Sequence, residues 1–220
     1  MVSGTADEAD LPAQTDLALD DDNDLGIRAL RTRQTILDAT RQLFLDRGYA
    51  GTRINNITDA CGISRAGFYT YFKDKRDVMR VLGETTNADT LSVIGEWDQI
   101  GRPASLAEVT EWVRRYFTYL DRHGAFVLSV SQSLPTDDEF RLDGRRMQMR
   151  VAFLLGVALR SRQTTPTPVP EALGLTVIAM LDRTWFMTRV QGLPVGHQDT
   201  TSTVSRCLMD ILGGQDRAES

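Results

Sequence analysis

From Leu25 onward the apolar residues of this chain recur at intervals of three and four, and strand-like alternation is almost missing. That spacing lays one apolar stripe along each of a series of helices and leaves nothing from which to build a half-buried strand. The chain is therefore read as all-α, with roughly nine helices. Ile36, Leu37, Thr40, Leu43 and Phe44 form the first clear stripe, and Gly48 is a natural stop. Thr52 is placed to cap a short second helix, RINNITDAC, and Ser64 a third, RAGFYTYF, with Gly62 ending the former. Asp74 caps a fourth that runs toward Trp97. Beyond it, SLAEVTEWVRRYFTYLDRHG is expected to end at Gly124, and AFVLSVSQSL forms a shorter segment before Pro135. A long helix over 137–162, the linker TTPTPVP, an apolar helix over 171–191 and a final one over 199–212 complete the series.

The formal net charge of -5 conceals an uneven distribution. Residues 1–24 hold eight acidic groups and no basic ones, and are read as a disordered acidic tail. Residues 25–82 hold eleven Arg and Lys against five Asp and Glu, while residues 83–220 hold fourteen against seventeen. A basic module joined to a neutral-to-acidic body points to a polyanion as partner. Three parts follow: a tail (1–24), a basic helical domain (25–82) and a larger helical domain (83–220). No apolar run approaches the ~18 residues of a membrane span. The start MVSGTADEADLPAQ has no secretory pattern. Cys61 and Cys207 suggest no disulfide framework, so a cytoplasmic protein with reduced thiols is expected.

Inside the basic domain, two short helices joined by a glycine-containing turn follow a longer helix, which is the helix-turn-helix plan. Gly62 permits the tight turn. Ile63, Phe68 and Phe72 share one face and can pack on Ile57, Leu43 and Phe44. Arg65, Ala66, Tyr69, Thr70 and Lys73 then face outward, a set able to enter the ~12 Å major groove and read base edges. Gly67 costs the helix about 1 kcal/mol relative to Ala, and its missing side chain permits close approach to DNA or to the second helix.

Residues 31–82 resemble the DNA-binding domain of the TetR (tetracycline-repressor-type) family of bacterial regulators. Phe44, Gly48, Tyr49, Thr52, Ile57, Ala60, Gly62, Ser64, Tyr69, Phe72 and Lys75 stand at the corresponding places of its spaced motif. The resemblance implies base-edge or backbone contacts from Arg65, Ala66, Gly67, Tyr69 and Thr70. It implies phosphate contacts from Tyr71, Lys73, Lys75 and Thr52, with Arg31 and Arg33 adding phosphate or minor-groove contacts. Tyr71 stands where many relatives place a His.

For residues 83–220 the resemblance implies a homodimer on a palindromic operator, with the last two long helices at the interface. Leu175, Ile178, Leu181, Trp185, Val204, Leu208 and Ile211 are the candidates, the alternative being that they complete one monomer's core. It also implies an effector pocket, for which Trp97, Trp112, Tyr116, Phe126, Met147, Phe153, Met180 and Phe186 are candidates. Their abundance favours an apolar or amphipathic effector. Arg114, Arg115, Arg145, Arg146, Arg150 and Arg160 are available for an anionic head group, or simply form solvated surface. Release from DNA on ligand binding is the default direction.

The rival readings are weaker. His123 and His197 are the only histidines and sit in no metal-spaced cluster, and no phosphate-cradling glycine loop or nucleophile elbow occurs, so no enzyme, metal or cofactor is expected. A protein-binding scaffold leaves the basic segment unexplained. Cys61 is read as a small buried filler rather than a redox switch, and the acidic tail as a solubilising extension rather than a mask over the basic surface.

Overall fold

The computed structural model describes residues 15–132 and 138–213. Among these residues all regular structure is helical. The elements are α1 (Thr15–Gly51), α2 (Ile54–Cys61), α3 (Arg65–Tyr71), α4 (Lys75–Gly95), α5 (Leu106–Gln132), α6 (Asp138–Arg160), α7 (Pro170–Trp185) and α8 (His197–Leu212). A 3-10 turn, Glu96–Gln99, continues α4, and a π-helical turn, Phe186–Val190, continues α7.

The separation expected at Gly124 does not occur, because α5 runs straight through it. A Cβ at Gly124 would lie 2.2 Å from Cη2 of Trp185. The glycine is a slot for the indole, whose Nε1 donates to Asp121 Oδ1 at 2.8 Å. Stop and slot look the same in one dimension. Of the expected tail, residues 1–14 lie outside the described residues, and from Thr15 the backbone is already helical and continuous with α1. Leu, Ala and an acidic start all suit the N-terminal end of a helix, a local preference that a reading from charge density underweights.

Two hydrophobic clusters organise the chain. The smaller joins Ile36, Leu37 and Phe44 of α1 to Ile57, Phe68, Phe72 and the first half of α4, through Leu82. The larger fills the body with side chains from the second half of α4 and from α5 to α8. The bodies interlock: Phe126 of α5 belongs to the smaller cluster, and Leu45 of α1 packs on the larger. Gly83 of α4 makes room for the Phe126 ring, since a Cβ there would sit 3.1 Å from Cζ.

The most intimate helix pair is α6 with α7. A Cβ on Gly156 would lie 1.7 Å from the Pro170 carbonyl oxygen, and one on Gly174 would lie 1.9 Å from that of Ala152. Only glycine lets two backbones approach so closely. At the far end of α6, Arg162 donates through Nη2 to the carbonyls of Trp97 and Ile100, tying the helix to the 3-10 turn.

Candidate nucleic-acid interface

The basic domain is built from a corner. Gly48 takes φ 68° and ψ 171°, which breaks α1 just before its end. The buried Thr52 hydroxyl donates to the Gly48 carbonyl at 2.8 Å and lies 3.2 Å from that of Leu43. Lys75, arriving from α4, donates Nζ to the carbonyls of Tyr49 at 2.5 Å and Thr52 at 2.7 Å, and lies 4.0 Å from the Tyr49 ring centroid. Burial pulls its ammonium below the usual lysine range. Thr52 and Lys75 were expected to contact phosphate; Thr52 is buried, which corrects that expectation, while Lys75 is half-buried with its Nζ already donating twice within the chain. Their polar atoms are committed to the carbonyls freed where α1 ends, groups that must find partners. Thr52 is not the cap of α2 either, since Arg53 holds that place, its N–H donating to Asn56 Oδ1 at 3.0 Å.

The turn to α3 follows the expectation. Gly62 is left-handed at φ 66°, ψ 30°, and the Ile63 N–H reaches back to the Thr58 carbonyl at 3.1 Å. Ser64 Oγ accepts from the Gly67 N–H at 3.0 Å, capping α3. Phe68 is fully buried and anchors the helix. Arg65, Ala66, Tyr69, Thr70 and, just beyond, Lys73 are exposed. A Cβ on Gly67 would meet only ordinary contacts, the nearest being Ser64 Oγ at 3.4 Å. Packing within the chain therefore does not demand glycine there.

Arg65 is oriented before any partner arrives. Its Nη1 donates to Asn55 Oδ1 at 2.6 Å and its Nη2 to the Tyr69 hydroxyl at 3.1 Å, with the guanidinium 5.9 Å from the Tyr69 ring centroid. A guanidinium held as a flat fork is suited to bidentate recognition. Asn55 had no assigned role in the sequence reading. Its exposed place on α2 was visible, but the crossing that brings it to Arg65 was not. Tyr71 is half-buried with its ring against the domain core, and Arg33 is half-buried with its guanidinium 5.3 Å from the Phe72 ring centroid. Cys61 is half-buried, and burial pushes its thiol up, away from reactivity.

Residues 36–82 match the family described as bacterial regulatory proteins, tetR family. Over that segment the chain is similar to the TetR family. Over 162 residues it is 26% identical to the HTH-type transcriptional repressor AcnR of Corynebacterium efficiens, covering 71% of this chain and 81% of that protein. It is 36% identical to the HTH-type transcriptional regulator AcrR of Shigella flexneri over 61 residues, which spans 28% of each chain. Among solved structures, the TetR family regulator PfmR of Thermus thermophilus superposes with a TM-score of 0.63 at 19% identity, over 83% of this chain and 99% of that one. The fatty acid degradation regulator FadR of Bacillus halodurans gives 0.61 at 18% identity, over 84% and 96%.

In the helical body, six of the eight residues expected to wall a pocket lie in or against one hydrophobic cluster, and Phe126 and Phe153 stand apart from it. Trp97 and Trp112 pack on each other, with centroids 5.1 Å apart, and Trp112 Nε1 donates to the Val93 carbonyl at 2.8 Å. Phe126 lies in the other cluster, and Phe153 stands 44% exposed on α6. Met147, Met180 and Phe186 pack against the edge of the body core. Tyr116 donates its hydroxyl to Asp182 Oδ1 at 3.0 Å. Helical spacing assigns a side chain to a face, not to a cavity.

Of the dimer candidates, four turn inward. Leu181, Trp185, Val204 and Leu208 are buried within their own chain and complete its core. Leu175 is 54% exposed, while Ile178 and Ile211 are half-buried. Past the first turn of α8, the exposed residues are Ser202, Thr203, Arg206, Cys207 and Asp210, all polar or small. Met149, Phe153 and Val157 are exposed at four-residue spacing on α6. His123 is a buried structural group, with Nδ1 3.1 Å from Thr86 Oγ1 and Nε2 2.7 Å from Asp89 Oδ2. Among the described residues no cluster of His, Cys, Asp or Glu is arranged to hold a metal, and no helix is long and apolar enough to cross a membrane.

Proposed function

We propose that this chain is a TetR-type transcriptional regulator that acts as a homodimer, reads a palindromic duplex with α3 and is released by a small molecule held in its helical body. The observation that carries the DNA-reading part is the α3 face. It rests on a buried Phe68, is capped by Ser64, and presents the preoriented Arg65 beside Ala66, Tyr69 and Thr70. Selecting bound fragments from random duplexes, then titrating the winner and a scrambled competitor at several salt concentrations, tests it. No preference for any duplex would end the reading.

On the selected duplex, Arg65→Ala is expected to cost about 1–3 kcal/mol, concentrated at one position of each half-site. Asn55→Ala should act in the same direction and more weakly, because the fork loses one of its two holds. Equal losses on selected and scrambled DNA would remove Arg65 from base readout.

One reading head is a small footprint, since specific sites bury about 1,000–2,500 Å² of protein, commonly through dimers on half-sites ~34–36 Å apart. The exposed Met149, Phe153 and Val157 on α6, with Leu175 on the adjoining α7, favour this pair of helices as the dimer face in place of the polar side of α8. Phe153→Asp combined with Val157→Asp is expected to yield a folded monomer in sedimentation equilibrium and to weaken binding to the selected duplex by about 100-fold or more. An unchanged dimer would move the interface elsewhere.

A further inference from the structure

We infer that the body takes a positively charged ligand, an amine or quaternary ammonium with an aromatic or apolar group, at the Asp182 carboxylate in the seam between α5 and α7. The inference rests on the reading that the body binds a small molecule, and it names the class. Asp182 lies on the last turn of α7 and is half-buried, with its carboxyl drawn into the protein. Its partner among the described residues is the Tyr116 hydroxyl, at 3.0 Å. No described arginine or lysine pairs with it. A carboxylate drawn into the protein without a counter-charge is costly, and such groups recur where a ligand supplies the missing partner.

The surroundings suit a cation. Tyr116 belongs to a row of rings along α5, 5.3 Å from Trp112 and 5.5 Å from Tyr119 by centroid. One turn past Asp182, Phe186 opens the π-helical turn and carries the Arg183 guanidinium 5.2 Å from its centroid. A ring face at this end of α7 therefore already holds a cation, as ring quadrupoles do. Interruptions of the π type also occur often at functional sites. The anionic head group considered from the sequence has no counterpart here. Arg114, Arg115, Arg145, Arg146, Arg150 and Arg160 are all exposed at the surface, whereas the seam presents a carboxylate.

Burial lifts the Asp182 carboxyl to about 6, the Tyr116 hydrogen bond pulling the other way. The titratable groups facing it are Tyr116 and Tyr119 on α5, with Asp89 on α4 beyond Tyr119. Burial raises both tyrosines, so they stay neutral across this range. Because the folded-state value is raised, ionising Asp182 penalises the fold as pH climbs from about 4 through about 6, and the penalty is complete above that. A ligand cation would offset it.

The test uses the full chain with benzyltrimethylammonium and, as an anion of similar shape, phenylacetate, followed by calorimetry and tryptophan fluorescence at pH 8. Saturable binding of the cation and none of the anion is expected. Asp182→Asn should weaken the cation by about tenfold or more, whereas Tyr116→Phe, which keeps the ring, should change it by less than about threefold. At pH 8 Asp182→Asn should melt no lower than the wild type, because asparagine keeps the Tyr116 hydrogen bond and sheds the charge. The two melting curves should converge toward pH 4. Equal cation affinity in Asp182→Asn, equal binding of phenylacetate, or a lower melting point for the variant at pH 8 would overturn the assignment. Cation binding at Asp182 that leaves the affinity for the selected duplex unchanged would uphold the site and end the effector reading. Release of the duplex by another molecule, with no cation bound, would do the reverse.

Discussion

Replacing Gly174 with valine is expected to lower the melting temperature by at least about 6 °C, the equivalent of ~3 kcal/mol for a chain of this size. The atom in the way is the Ala152 carbonyl oxygen, 1.9 Å from where the Cβ would stand, so no rotamer change relieves the clash and one helix backbone must move. Gly156→Val should behave alike, since its Cβ would meet the Pro170 carbonyl at 1.7 Å. Gly26→Ala is the matched control. It lies within α1 with nothing inside 4 Å of the new methyl, and should be neutral or stabilise by up to about 1 kcal/mol, the helix propensity difference. Thermal unfolding followed by circular dichroism reads all three. If Gly174→Val melts with the wild type, α6 and α7 do not cross where these glycines stand.

Lys75→Ala is expected to cost about 1–3 kcal/mol of stability while leaving the salt dependence of DNA binding unchanged. Its ammonium serves two backbone carbonyls and the Tyr49 ring at the corner where α1 breaks. Removing it takes the side-chain donor from the Thr52 carbonyl, leaves the Tyr49 carbonyl with the Thr52 N–H at 3.3 Å, and loses the ring contact, at roughly 1–3 kcal/mol for a group left without a partner. The contrast is Lys73→Ala. That side chain is exposed beside α3, and its loss should leave the melting point nearly unaltered. It should flatten the slope of log affinity against log salt by about one, the signature of one phosphate contact removed. Were Lys75→Ala to flatten the slope with no loss of stability, the lysine would be a phosphate ligand and the corner would be held by other means.

The two lysines show where reading from residues reaches its limit. Both are basic, both follow α3 and both fit a phosphate-contacting pattern. Two residues of separation carry one to the surface and the other back under α1, and only the path of α4 decides which. The recognition face was legible because α3 is short and amphipathic. Phe68 must go inside, so Arg65, Ala66, Tyr69 and Thr70 must face out, whatever the rest of the chain does. The hold on Arg65 by Asn55, ten positions earlier, required the angle between α2 and α3. In the body the same stripe logic placed Leu181, Trp185, Val204 and Leu208 on apolar faces correctly, yet could not say whether a face meets its own chain or a second copy.

What the sequence determined by itself was local and periodic: helices throughout, the Gly62 turn, the caps at Ser64 and Asp74, and which side of α3 is polar. These depend on interactions within about one helical turn, which the order of residues specifies directly. The tertiary structure alone decided that Gly124 receives an indole, that Thr52 and Lys75 brace a corner, that Phe126 plugs the neighbouring domain, and that among the described residues Asp182 meets Tyr116 and no arginine or lysine. Each of those depends on which surface another element brings within a few ångströms, and periodicity along one helix carries no information about its neighbours.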